Sequence, residues 1–387
     1  MFPSVTVCNI NQIEEDFLML QNAHGNITRI NLLIKEFVTG HQKTLNKEEQ
    51  AYIDEVRERI DMDSGWTFLK RSRQLCNDMI LSASFRDMLL TWKNMPWMQI
   101  PDWENQGWHI GPMYYPTDYG ACCHLAPHLD LKPNNENKSL VQLYKELDAD
   151  ALNGVDNGLE LLLDAEQFNY ADYKKEGAGF LIGLHHHQDR PMIQFSSHLI
   201  HTGLRTMINL KPTISETTED AILNFSPEER GCYADGEANL TYLPQSYGYR
   251  YEMNNCLIDR AISLIIWNCR CMPHFAKGHN EYLSFISFCT GEKLYCANDY
   301  LKSITLNRKK SHDNNTIMPE AKKSPNKIGN IFKPPSIKCL PTCRIQETSN
   351  EMSFAPYPQR KNFFYKKRFC GAASHLLQQT CTRKRQG

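Results

Sequence analysis

Two spacings of apolar residues run along this chain, and they predict different elements in different stretches. β-Branched alternation at residues 5–8 predicts a strand. Residues 41–60 give the clearest helix, with Leu45, Tyr52, Ile53, Val56 and Ile60 forming one apolar stripe among Glu, Lys and Arg. Residues 72–90 predict a second helical region, burying Leu75, Met79, Phe85, Met88 and Leu89. Residues 95–118 are aromatic and punctuated by Pro and Gly, which predicts loop or irregular strand. The short apolar run at 159–163 fits either state. Residues 179–188 and 190–195 predict two strands around a polar turn, and 206–212 a further strand. Residues 256–267 and 281–301 predict antiparallel helical arms. Residues 303–336 are rich in Lys, Asn, Ser and Pro and poor in aromatics, which predicts a loop or disordered insert. Strands grouped together, with helices placed elsewhere, argue for an α+β fold rather than alternating α/β.

Composition sets the scale. The chain has 387 residues, 41% of them hydrophobic, enough for one large domain or two ordinary ones. The longest apolar run covers 261–267 only, against roughly 18 residues for a membrane span. Met1 is followed at once by Phe2-Pro3, so no secretory signal is expected. The net charge of -1 hides an asymmetry. Residues 302–387 carry 18 Lys and Arg against 4 Asp and Glu, and the remainder carries 25 against 40. A basic end suggests solvated segments or a nucleic-acid contact. It lacks a recognition motif, so no nucleic-acid partner is expected.

The 14 cysteines add chemistry. Cys8, Cys76, Cys122 and Cys123 form a sparse first set. Cys232, Cys256, Cys269, Cys271, Cys289, Cys296, Cys339 and Cys343 form a dense second one, and Cys370 and Cys381 lie near the end. A disulfide framework, a zinc site and reactive thiols compete for the dense set. Its C-x-C and C-x3-C pairs fit zinc only loosely. Sequons at Asn26, Asn137, Asn224, Asn239 and Asn314 make candidate glycosylation sites. Together with the even cluster they favour disulfides in an oxidising compartment. His185, His187 and Asp189, with His198 or His201, invite a metal reading, because His185 and His187 would share one strand face. A polar strand end leading into the Arg190-Pro191 turn is the favoured alternative, and no metal site is assigned. No Walker loop, nucleophile elbow or paired-carboxylate motif occurs, so no catalytic residue and no cofactor are expected. The acidic body offers carboxylate pairs able to sense protons or cations, against the plainer reading of a solvated acidic surface.

An ordered series of motifs carries a resemblance. FPSVTVCN at 2–9, TDYGACC at 117–123, GAGFLIGLHHHQDRPMI at 177–193, FSPEERGCYADGE from 225, YGYRYEMNNCLIDR from 247, NCRCMPHF from 268 and CLPTC at 339–343 follow one another. The series resembles the degenerin/epithelial sodium channel family, its pickpocket-type members especially, over residues 1–301 and 336–345. The resemblance implies an α+β ectodomain with a central antiparallel palm sheet, helical finger elements and a disulfide-laddered thumb. It divides the chain into a channel-type extracellular domain (1–301), a basic low-complexity insertion (302–336), the return arm of the thumb (337–353) and a basic tail (354–387).

By position in the family, Cys232 would pair with Cys343, Cys256 with Cys339, Cys269 with Cys296 and Cys271 with Cys289. Each such loop removes about 3–5 kcal/mol of unfolded-state entropy if strain is small. Arg260 and Ile337 stand where the family carries one further rung, so both halves are absent together. Cys8 would pair with Cys122 or Cys123, and Cys76 would be free or take the other; Cys370 and Cys381 have no family role. Ala83 and the His124-Leu125 dipeptide also depart from the family pattern.

The resemblance implies a subunit of a homo- or heterotrimeric, sodium-selective, amiloride-sensitive cation channel of the plasma membrane, with this region extracellular and the thumb transmitting gating. The membrane helices and the selectivity filter of that family have no counterpart in the sequence. The expectation is therefore a truncated ectodomain unable to form a pore alone. The alternative is a secreted, disulfide-rich binding protein.

Overall fold

Local hairpins and long-range pairings alternate in this fold, and the long-range ones, residues 4–9 with 120–125 and with 179–185 above all, set the palm. The computed structural model describes residues 3–60, 65–85, 88–90, 99–102, 107–110, 113–125, 158–171, 177–186, 189–243, 249–276, 286–308 and 339–357. Its strands are β1 (Ser4–Asn9), β2 (Ile80–Phe85), β3 (Met88–Leu90), β4 (Gln99–Asp102), β5 (Gly107–Ile110), β6 (Met113–Thr117), β7 (Gly120–Leu125), β8 (Leu159–Leu163), β9 (Gly179–His185), β10 (Ser197–His201), β11 (Leu204–Glu216) and β12 (Arg344–Pro356). The palm is a five-stranded antiparallel sheet ordered β10-β9-β1-β7-β6. β1 lies at its centre with all six residues buried, so both faces are covered and its polar Ser4 and Thr6 are interior. Thr6 stands opposite His124 on one side and Gly183 on the other.

The finger helices are α1 (Glu15–Leu20), α2 (Ile27–Ile34), α3 (Lys47–Ile60), α4 (Gly65–Arg71) and α5 (Cys76–Met79). A π-helical turn, Lys35–Thr39, continues α2. α3 buries Tyr52, Ile53, Val56 and Ile60 of the expected stripe, and Leu45 packs partly buried beside them. The helix starts at Lys47 rather than 41 because Asn46 and Glu49 cap it reciprocally. The Glu49 N–H donates to Asn46 Oδ1 (2.8 Å) and the Asn46 N–H donates to Glu49 Oε2 (2.9 Å).

Residues 72–90 correct the sequence reading. Among the described residues there, only α5 is helical. The chain then enters β2, which pairs with β3 and with the apolar run of β8. Pairing with β8 decides the strand state of β2; of the residues expected to be buried, Met79 is, whereas Leu75 at the start of α5 is 59% exposed. The expected burial of Phe85, Met88 and Leu89 lies outside the described side chains. Residues 95–118 contain the β4–β5 hairpin and β6.

The expected strand at 190–195 is instead a turn and a single-turn helix, α6 (Ile193–Ser196), followed by β10. Pro191 has no N–H to offer a sheet, and the Asp118 carboxylate takes the Ile193 and Gln194 N–H groups that begin the turn.

Beyond β11 come the short α7 (Glu219–Asn224) and α8 (Pro227–Arg230). The thumb arms are α9 (Met253–Cys269) and α10 (Gly291–Arg308). α10 begins at Gly291 rather than 281 and runs six residues into the expected insert; residues 281–285 and 309–336 lie outside the described residues. Ile258, Ile262 and Ile265 of α9 meet Leu294, Ala297 and Leu301 of α10 in one buried cluster. β11 and β12 form a separate ribbon, registered from Leu204–Pro356 to Glu216–Arg344.

Candidate functional site

Six disulfides hold the described cysteines. Cys8 is bonded to Cys122 and Cys76 to Cys123, which ties β1 and α5 to neighbouring residues of β7. Cys232–Cys343 and Cys256–Cys339 bind the thumb's outgoing arm to its return. Cys269–Cys296 and Cys271–Cys289 close its far end. Cys370 and Cys381 lie outside the described residues.

Palm and thumb meet at a joint centred on Arg190, which is buried at the Arg190-Pro191 turn. Its Nη1 donates to the hydroxyls of Tyr249 (2.8 Å) and Tyr115 (3.2 Å), and its Nη2 to the Pro116 carbonyl (2.8 Å). Its guanidinium carbon also lies 5.0 Å from the Tyr115 ring centroid and 6.0 Å from that of Phe275. The Tyr115 and Tyr249 hydroxyls are hydrogen-bonded to each other. The Arg190 N–H donates to Asn255 Oδ1 (2.9 Å) on α9, and Asn255 Nδ2 donates to the Arg250 carbonyl (3.0 Å).

The turn between β6 and β7 completes the joint. Asp118 accepts from the Ile193 N–H (2.7 Å) and the Gln194 N–H (3.0 Å). Burial pushes its carboxyl up to about 6, against the lowering pull of those N–H bonds. His274, from the base of the thumb, donates through Nε2 to the Thr117 carbonyl (2.8 Å), and burial lowers it to about 4. Asp189 is pushed up to about 7 by burial, with Glu252 adding to the shift and Arg250 opposing it.

A second joint links finger to thumb. Glu36 is buried and binds Arg57 Nη2 (2.6 Å), with His41 Nδ1 at 3.6 Å. The His41 N–H donates to the Gly291 carbonyl (3.1 Å), and Asn298 Nδ2 donates to the Thr39 carbonyl (3.1 Å). Gly40, at φ +75°, lies so close to Tyr295 that a Cβ would overlap its backbone. A cavity of about 530 Å³ opens beside this contact, lined by Glu36, His41, Arg57, Phe288, Glu292 and Lys293 among others.

The other candidates fall apart spatially. His185 is turned into the palm, where it bonds Thr6; His198 and His201 lie on the edge strand β10; His187 is outside the described residues. No group of three His, Cys, Asp or Glu is arranged to hold a metal among the described residues. Asn26, Asn224 and Asn239 are exposed, Asn26 capping α2; Asn137 and Asn314 lie outside the described residues. Near the finger, Glu14 is pushed up to about 7 by burial, reinforced by Glu166, Asp16 and Asp78.

Sequence reasoning missed the roles of Arg190, Tyr249 and His274, although TDYG and the Arg190-Pro191 turn marked the neighbourhood. It also missed the Glu36–Arg57 pair.

The palm sheet and the disulfide-braced thumb thus meet at joints built from buried polar contacts. A family model described as "Amiloride-sensitive sodium channel" matches residues 1–385, and the chain belongs to that family. Membership places it among sodium-channel proteins, an ion-transport class and not an enzymatic one. No curated protein matches it in a sequence search. Among the described residues no helix is long and apolar enough to cross a membrane.

Proposed function

We propose that the chain is the extracellular part of a sodium-selective, amiloride-sensitive channel subunit, in which the thumb works as a stiff lever on the palm. The observation that carries this reading is the Arg190–Asp118 joint. Two separate strand turns, the palm's Tyr115 and the thumb-side Tyr249 are bound there by side chains buried from water. A movement of the thumb would therefore be passed to β6, β7 and β9 rather than absorbed. The four thumb disulfides keep the lever from bending, and the finger–thumb cavity is a place where a stimulus can act on it.

Assembly as a homo- or heterotrimer fits the β11–β12 ribbon. Ile208, Leu210, Ile214, Met352 and Phe354 share one of its faces, and Ile214, Met352 and Phe354 are exposed. A two-stranded ribbon is marginal in water unless something covers its apolar face. Exposed Asn26, Asn224 and Asn239 are proposed glycan sites, in keeping with placement outside the plasma membrane.

The chain, expressed in frame with the membrane-spanning segments of its transcript, alone and with sister subunits, is expected to give an inward sodium current blocked by amiloride. Surface expression without any such current in every combination would overturn the reading.

A further inference from the structure

Two of the most exposed apolar side chains stand next to a sugar acceptor. Leu223 is 82% exposed and Ile27 74%, and each directly adjoins a sequon asparagine, Asn224 and Asn26 respectively. Phe225, on the other side of Asn224, is 55% exposed. The third described sequon is different. Asn239 lies between Ala238, which is buried, and Leu240, which is partly buried against the thumb root.

The surface around Asn224 is held in place from beneath. α7 and α8 bury none of their residues. The Arg230 side chain is buried and fastens both to the thumb root. Its Nη1 donates to the carbonyls of Ile222 (3.1 Å) and Phe225 (2.8 Å), its Nε donates to the Cys232 carbonyl (3.1 Å), and its Nη2 pairs with Glu237. Ser226 and Glu229 form a capping box that starts α8. Leu223 and Phe225 are therefore shown to water by a fixed backbone, and they cannot turn inward without breaking these bonds. A second copy of the same surface is a poor cover for them. Residues 217–237 carry six carboxylates and no base besides Arg230, so two such surfaces repel each other. Neighbouring Cα atoms lie about 3.8 Å apart, so a group attached to Asn224 has both side chains within reach.

We propose that N-linked glycans on Asn224 and Asn26 are structural covers, the first N-acetylglucosamine laying its C–H face on Leu223 and Phe225 at one site and on Ile27 at the other. This rests on the extracellular placement of the domain proposed above. The donor is a lipid-pyrophosphate-linked oligosaccharide. The asparagine Nδ2 bonds to C1 of the first sugar, the C1–O bond to the lipid pyrophosphate breaks, and one of the two Nδ2 hydrogens leaves as a proton. The hydrogen that stays is enough for the fold. Asn224 Nδ2 donates to the Asp220 carbonyl (2.8 Å), and the glycosylated nitrogen can still do so. Asn26 caps α2 through its Oδ1, which accepts the Arg29 N–H (3.1 Å) and takes no part in the linkage. Neither local hydrogen bond is given up for the sugar, and apolar surface leaves water when the sugar is present.

The test uses the full, oxidised chain passed through a eukaryotic secretory pathway. Glycopeptide mapping is expected to find Asn26 and Asn224 occupied. Both sites bare would overturn the extracellular reading and the covers together; occupied sites support that reading and leave the covers to be judged by binding of the uncharged apolar dye Nile red. Trimming every glycan to its first sugar is expected to leave dye binding unchanged, and Asn224→Gln to raise it by about twofold. Asn239→Gln is expected to leave it unchanged. Adding Leu223→Ser and Phe225→Ser to Asn224→Gln is expected to bring it back to the native level. Dye binding that Asn224→Gln does not raise, an equal rise in Asn239→Gln, or a rise that survives the two serines overturns the proposal. Should Asn224→Gln not be secreted, complete enzymatic removal of the glycans from the folded native chain replaces it. The rise is then expected to be smaller in the chain carrying Leu223→Ser and Phe225→Ser, and an equal rise in both overturns the proposal.

Discussion

At the scale of single residues, the joint depends on groups that water cannot replace. Arg190 is buried among two tyrosine hydroxyls and a carbonyl, and each would be left short of a donor without it. Arg190→Ala is expected to cost about 3 kcal/mol in equilibrium denaturation of the oxidised chain. A loss under about 1 kcal/mol would mean that Tyr115 and Tyr249 hold the joint by themselves. Little of this could be read from sequence, because Arg190 lies 75 residues from Tyr115 and 59 from Tyr249. An isolated Arg before Pro signals only a turn. Asp118 was more accessible, since it sits inside TDYG. His124 was visible only as a departure from the family pattern, with nothing to indicate that Thr6 and His185 would lie beside it.

At the scale of elements, periodicity served well where one face decides the fold and poorly where pairing does. The α3 stripe was readable because its apolar side chains recur on one helical face. Residues 72–90 were misread because a run such as Ile80–Phe85 satisfies both periods, and β8, which settles the matter, lies about 80 residues away. The cysteine clusters indicated a framework but not its pairs, since eight cysteines allow 105 connectivities; the motif order was needed to propose them. The finger–thumb contact was not legible at all, because a glycine before a histidine does not announce that a helix backbone will rest on it. Gly40→Ala gives a direct check. A Cβ would collide with the Tyr295 backbone in a left-handed conformation, and the expected cost is about 1–3 kcal/mol. Hydrogen exchange should show it as lost protection at His41, whose N–H is held by Gly291. An unchanged exchange rate there would mean that finger and thumb are not locked at this point.

Across the whole molecule, opposite titrations overlap. His124, His185 and His274 lose stability as pH falls below the normal histidine range, because folding lowers their pKa values. Glu14, Asp118 and Asp189 have raised values, so their contribution is present below the usual carboxylate range and is lost as pH rises through about 6 to 7. A melting curve sums all six. The acidic-body, basic-end asymmetry also belongs to this scale. It was plain in the sequence, and most of the basic end lies outside the described residues.

The order of the thumb disulfides has a consequence for processing. Cys269–Cys296 and Cys271–Cys289 close before the segment between Cys296 and Cys339 begins, while Cys256–Cys339 and Cys232–Cys343 bridge across it. That Lys-rich segment offers many trypsin sites. A single cut within it yields two polypeptides that remain one particle, riveted at two places. Limited trypsin digestion should therefore leave a species of unchanged mobility on a non-reducing gel that separates into two bands once the bonds are reduced. Fragments already apart without reductant would show that neither bridging bond is made. A cut in this segment would be invisible to size and legible only to a reducing agent.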